Sequence, residues 1–141
     1  MLNREDIESF LIRAEVDFQE VGEGIWLVLN ESGVVGKGGE PHVVVTHQPP
    51  VLVLRADLGD APVDEAEELV LFRRLLELNA ADLVHGAYGL EDGEIILSDT
   101  LELENLDFSE FRASLESLTL ALRAHWGEPA PVAEVPPTEI N

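Results

Sequence analysis

His42 and His47 are the first residues whose types invite chemistry, because neutral imidazole is the commonest metal ligand. On a continuous strand their spacing points them to opposite faces, and no third ligand is spaced nearby. They read as polar strand-end histidines. Glu91, Asp92, Glu94 and Asp99 could hold Ca²⁺ loosely, but the ligand order of an EF-hand is absent, and an acidic hairpin face is the simpler account. Gly36-Lys37 hints at a phosphate loop, yet Gly38 stands where the Ser or Thr after the lysine is needed. Ser9, Ser32, Ser98, Ser109, Ser114 and Ser117 sit in no nucleophile-elbow context. These residues provide no catalytic group, no metal site and no cofactor site, so the chain is expected not to be an enzyme.

Composition narrows the class of partner. The chain has 141 residues, with 8 Lys or Arg against 29 Asp or Glu, for a formal charge of −21. Phosphate contacts need a basic surface, which argues against direct binding to nucleic acid or to an anionic membrane. The charge fits three roles: solubility, attraction to a basic partner, or imitation of a DNA backbone. A hydrophobic content of 45% is normal for a folded domain. Without Cys there are no disulfides, thiolate zinc sites or cysteine nucleophiles. The start, MLNREDIESF, carries charges where a signal peptide would be apolar, and no apolar run has the length of a membrane span. The expected location is the cytoplasm.

The pattern of apolar residues sets out the elements in order. Asn3 with Asp6 has the spacing of a capping box, and Ile7, Phe10, Leu11 and Ala14 follow on one helical face, which ends near Glu15. Asp17–Val21 and Ile25–Leu29 read as strands around a Gly22-Glu23-Gly24 turn. Trp26 and Val28 point to one side, and Ile25, Leu27 and Leu29 to the other. Apolar residues on both sides suit a central strand or one at a subunit boundary. The stretch 30–40 is a glycine-rich hairpin tip. His42–Thr46 and Val51–Ala56 are strands joined at Gln48-Pro49-Pro50, and Asp57–Pro62 is an acidic turn.

The helix Val63–Asn79 organises the rest. Asp64, Glu65, Glu67 and Glu68 suit its positive end, and Asn79 is read as a left-handed cap. Its apolar residues form two stripes: Leu69, Phe72 and Leu76, then Leu71, Leu75 and Leu78. Together they exceed what one packed layer requires, so one stripe is expected to meet a second copy or a client. Ala80-Ala81-Asp82 reads as a linker. Leu83–Leu90 and Glu94–Leu103 form a hairpin around Glu91-Asp92-Gly93. Its second strand puts Ile95, Leu97, Leu101 and Leu103 on one face and Ile96 among polar residues on the other. Asp107 with Glu110 caps a final helix whose single narrow stripe runs from Phe108 to Trp126. Residues 1–127 are expected to form the domain. Residues 128–141, EPAPVAEVPPTEIN, are expected to be a disordered acidic, proline-rich tail.

Val70–Leu122 carries a resemblance. LFRRLLELN followed by LVHGAYGLEDGEIILSDTLELENLDFSEFRASLESL is similar to the YbjN family, whose structure is like that of the type III secretion chaperones. The first half of the domain matches in element order alone. The resemblance implies an α+β fold with a twisted antiparallel sheet of about five strands flanked by helices, in the order α-β-β-β-(β)-α-β-β-α, usually dimeric. It carries over no active-site residues. Family members are described as candidates for sensory transduction or stress regulation, and the secretion chaperones are small acidic dimers that bind an extended client.

These observations lead to a non-catalytic, dimeric protein-binding module that acts as a chaperone or adaptor. The alternative is an electrostatic regulator of a basic nucleic-acid-binding protein. The dimer contact is expected at Leu71, Leu75, Leu78 and Val70, and the protein-binding surface at Trp26, Val28, Ile96 and Tyr88.

Overall fold

Asn3 starts the first helix as the spacing predicts. Its side chain accepts from the Asp6 N–H while the Asp6 carboxylate accepts from the Asn3 N–H. The computed structural model describes residues 1–29 and 41–126. The elements in chain order are α1 (Arg4–Arg13), β1 (Phe18–Gly22), β2 (Ile25–Val28), β3 (Val43–Gln48), β4 (Val51–Asp60), α2 (Glu65–Ala81), β5 (Ala87–Glu91), β6 (Glu94–Glu102) and α3 (Phe108–Trp126). The glycine-rich stretch at 30–40 and the tail at 128–141 lie outside the described residues.

The strands make one antiparallel sheet in the order β1-β2-β3-β4-β6-β5, six strands with the bracketed fourth strand of the expected order present. Strand β4 is longer than expected and runs past Ala56 through the expected acidic turn to Asp60. A bulge between Asp57 and Asp60, with Gly59 at φ +99°, lets the ladder to β6 continue to Glu94. In this way Leu58 packs against the core. Strand β2 lies between β1 and β3, in the interior of the sheet.

Strand register decides which residues share a face. Trp26 pairs with Val45, Val45 with Leu54, and Leu54 with Asp99, so alternate residues of each strand line one side. Trp26, Val28, Val43, Val45, Leu52, Leu54, Ala56, Ile95 and Leu97 are buried there. All three helices bury their apolar residues in the same cluster: Ile7 and Leu11 from α1, Leu71, Leu75 and Leu78 from α2, and Phe111, Leu115, Leu118 and Leu122 from α3. The helices therefore cover one face of the sheet.

Each helix end is satisfied locally. The Asp64 carboxylate accepts from the Glu67 N–H at the start of α2. At the start of α3, Asp107 accepts from Glu110 N–H while Glu110 accepts from Asp107 N–H. The bond from the Glu110 backbone, and then one from the Ser109 hydroxyl, hold the Asp107 carboxyl below its ordinary range. The far end of α2 differs from expectation. Asn79 is helical, the helix continues through Ala80 and Ala81, and Asp82 is the cap in right-handed conformation. The Asn79 amide is engaged instead with the backbone of Tyr88. Strand β5 begins at Ala87, four residues later than expected. Before it, Gly86 takes φ +82°, and a Cβ there would stand 2.6 Å from the Leu118 side chain.

Candidate functional site

The second face of the sheet has no helix on it among the described elements. The same ladders that place Trp26 and Leu54 inward place Ile25 and Leu27 of β2, Val44 of β3, Val51 and Val53 of β4, and Ile96 of β6 outward. None of these six belongs to the core cluster, and all are partly exposed. Thr46, Ser98 and Thr100 lie among them, and Arg55 of β4 is the charged residue in the middle of the face. Its perimeter carries Asp57, Glu91, Glu94 and Glu102.

Arg55 is the one Lys or Arg among the six strands. It lies on this face, with Nε 2.8 Å from Asp57 and a terminal nitrogen 2.6 Å from Glu91. Hydrogen bonds to Asp57, then to Glu91, raise its pKa above the ordinary guanidinium value. The pair of carboxylates neutralises the only strand cation and leaves the face with surplus negative charge at its border.

The expected site residues fall out differently. Ile96 is on this open face, but Trp26, Val28 and Tyr88 are buried on the helix side at 1%, 3% and 6% exposure. Alternation along a strand separates two faces and does not say which one the helices cover. Trp26 is further tied down by donating its ring N–H to Glu8 of α1. The open-face residues of β2 are their neighbours Ile25 and Leu27. The same inversion holds on α2. Leu71, Leu75 and Leu78 are 5%, 6% and 4% exposed against the chain's own sheet, whereas Leu69 and Leu76 are 63% and 68% exposed. A side chain already buried within one chain cannot also meet a second copy, so the outward residues of the other stripe are Leu69 and Leu76, with Phe72 half-buried against the core beside them. Val70 is 41% exposed on the opposite flank.

One cluster has the look of a catalytic relay. The Trp126 ring N–H donates to the Tyr88 hydroxyl oxygen at 3.1 Å. That hydroxyl lies 2.6 Å from His125 Nδ1, and His125 Nε2 lies 2.9 Å from Asp82. A carboxylate can only accept, so Nε2 carries the proton and Nδ1 accepts from Tyr88. Burial pushes the Tyr88 hydroxyl up to about 12, opposed by the bond from Trp126 and helped by the charge of Asp82. A phenol held protonated inside the core is a poor nucleophile, and both imidazole nitrogens are occupied. The cluster clamps the ends of α2 and α3 to β5.

Beside it is an open cleft of about 370 Å³ between α3 and residues 82–85. Its lining is largely Leu83, Val84, Leu120 and alanines, and the Ser117 hydroxyl there donates to the His85 carbonyl. No activated nucleophile faces it. Elsewhere, His47 Nε2 lies 3.0 Å from the Leu2 carbonyl, and Asp99 accepts from the buried Ser114 hydroxyl. Among the described residues, no group of three or more His, Cys, Asp or Glu is placed to hold a metal ion. No described helix is long and apolar enough to cross a membrane.

Known structures share this arrangement. A chain of the heterodimeric complex ExoU-SpcU, from the type III secretion system of Pseudomonas aeruginosa, is similar with a TM-score of 0.59 and 14% identity, covering 84% of this chain and 93% of that one. YbjN from E. coli gives 0.60 and 12%, covering 86% and 89%. A chain of the ExsC-ExsE complex gives 0.60 and 19%, covering 95% and 100%. At these identities the likeness establishes the fold. No curated protein matches the chain. The family model CesT_Tir_1 matches residues 2–132. A sheet covered on one side by three helices, with no assembled reaction centre among the described residues, therefore comes with a match over nearly the whole chain, and the chain belongs to the CesT_Tir_1 family of type III chaperones.

Proposed function

We propose that this chain is a non-catalytic protein-binding module that serves a protein client as a chaperone or adaptor and works as a homodimer. The observation that carries the reading is the uncovered apolar face of the sheet at Ile25, Leu27, Val44, Val53 and Ile96. Apolar burial on that face supplies affinity, and the acids at its border set encounter rate and selectivity. Two of the similar folds support it, because both come from complexes with a partner protein: HopA1-SchA is a chaperone-effector complex, and ExoU-SpcU is a heterodimer. The dimer contact is assigned to Leu69, Phe72 and Leu76 of α2. A place in a stress response rests on the resemblance to the YbjN family alone.

The formal charge of −21 favours a second reading, an electrostatic regulator of a basic nucleic-acid-binding protein. One experiment separates them. Polypeptides are recovered from native lysate on the full chain and on a Leu27→Glu/Ile96→Glu variant of unchanged circular dichroism, at low and high salt. Partners held by the parent protein at both salts and lost from the variant support client capture. Equal capture by both proteins, abolished by salt, supports the electrostatic regulator instead, because solvent-exposed charges are screened.

A further inference from the structure

Strand β5 is an edge of the sheet, and an edge exposes backbone groups that can template another strand. On this edge one residue is already satisfied. The Tyr88 N–H donates to Asn79 Oδ1 at 2.7 Å, and Asn79 Nδ2 donates to the Tyr88 carbonyl at 3.1 Å. That pair of bonds is what a residue on a neighbouring antiparallel strand would supply.

The register shows how much of the edge this closes. Tyr88 lies opposite Leu97 of β6, yet its own N–H and C=O go to Asn79, so they point away from β6. Alternate residues repeat that direction, which makes Tyr88 and Leu90 the outward-bonding positions within Ala87–Glu91. Asn79 takes the first of the two. It is held there because Leu75 and Leu78, one turn back and one residue back on α2, are buried in the core. The Tyr88 ring is fixed at its other end by His125 and Trp126. Neither a moving helix nor a swinging tyrosine frees the edge.

We propose that the Asn79 side chain is a stopper that closes the β5 edge to strand addition, by a second copy of this chain or by an extended segment of a client. Partners are then directed to the open face and to the outer stripe of α2. This assignment does not depend on the identity of the client.

The test uses the full chain with Asn79→Ala, and with Asn79→Ala combined with Leu90→Pro. Proline at Leu90 removes the remaining outward donor. Mass is followed by light scattering over a concentration series, and exchange of the Tyr88 amide by NMR. The expected result is Tyr88 exchange faster by about tenfold, the loss of one net hydrogen bond. Species larger than the parent protein forms at the same concentration accompany it, and Leu90→Pro reverses them. A folded Asn79→Ala protein with the parent's mass overturns the proposal, and so does unchanged exchange. If the alanine variant fails to fold, Asn79→Asp decides, since it keeps the acceptor for the Tyr88 N–H and loses the donor to its carbonyl. Enlarged species support the stopper, and the parent's mass overturns it.

Discussion

The two faces of the sheet are built from the same strands and from different side chains. The helix side carries Trp26, Leu52, Leu54, Ile95 and Leu97, which reach across to the helices and interlock with Phe111, Leu115 and Leu118. The open side carries Ile25, Leu27, Val44, Val51, Val53 and Ile96 with Thr46, Arg55, Ser98 and Thr100, most of them β-branched. The helix side also holds Val28, Val43, Val45 and Ala56, so side-chain length does not divide the two. Hydroxyls and the Arg55 guanidinium interrupt the apolar residues of the open face, whereas the helix side is nearly all apolar. That difference separates the face used for folding from the face left for a partner.

The largest effect expected from testing this contrast is on α2, where the two kinds of surface are one residue apart. Leu75→Asp buries an unpaired carboxylate in the core and should cost several kcal/mol, leaving the chain unfolded by circular dichroism. Leu76→Asp should leave the folded secondary structure unchanged by circular dichroism while converting a dimer mass to a monomer mass in light scattering. A parent protein that is already monomeric would remove the dimer from the account. Neighbours on β4 give the next effect. Leu54→Ala, fully buried, should lower stability by about 2–5 kcal/mol in urea unfolding. Val53→Ala, on the open face, should change it by less than about 1 kcal/mol. Equal losses at both positions would mean that the outer face is covered in the folded monomer.

An effect smaller than that of Leu54→Ala concerns the clamp at the end of α3. Tyr88→Phe removes the hydroxyl that accepts from Trp126 and donates to His125, at a cost of about 1–3 kcal/mol. The same group gives a pH signature. Burial holds the Tyr88 hydroxyl at about 12, above the ordinary tyrosine value. The folded state therefore retains the proton longer than the unfolded state. Its contribution is complete below the unfolded value and declines as pH rises toward about 12. Tyr88→Phe should flatten that alkaline fall in unfolding free energy, and an unaltered slope would place the loss elsewhere.

Much of the fold was legible because local signals agreed. The Asn3–Asp6 and Asp107–Glu110 capping boxes mark helix starts, the Gly93 turn closes a hairpin, and alternation in β6 puts Ile96 opposite Ile95 and Leu97. Periodicity stopped short of direction. On α2 both stripes are leucine-rich, and a period of 3.6 residues separates them without saying which one meets the sheet. On β2 the bulk of Trp26 was the available hint, since a large ring finds room most easily between a sheet and its helices. Asn79 was read as a cap because asparagine often ends helices. Its real partner, Tyr88, lies across a change of chain direction that no short-range rule describes. The relay of Asp82, Tyr88, His125 and Trp126 escaped for the same reason, being assembled from three separate elements.

The strand order also has a consequence in time. Neighbours β1 to β4 follow one another along the chain, as do β5 and β6; the β1–β2, β3–β4 and β5–β6 ladders close over two residues each and β2–β3 over fourteen. Only the β4–β6 seam joins distant segments, from Asp60 with Glu94 out to Val51 with Glu102. Loop-closure entropy falls most heavily on that seam, and the pairings that close late are the ones that govern folding speed. Until the seam forms, the meander and the terminal hairpin each display a bare strand edge, Val51–Asp60 on one piece and Glu94–Glu102 on the other. During synthesis, β4 must therefore wait as an open edge until β6 arrives.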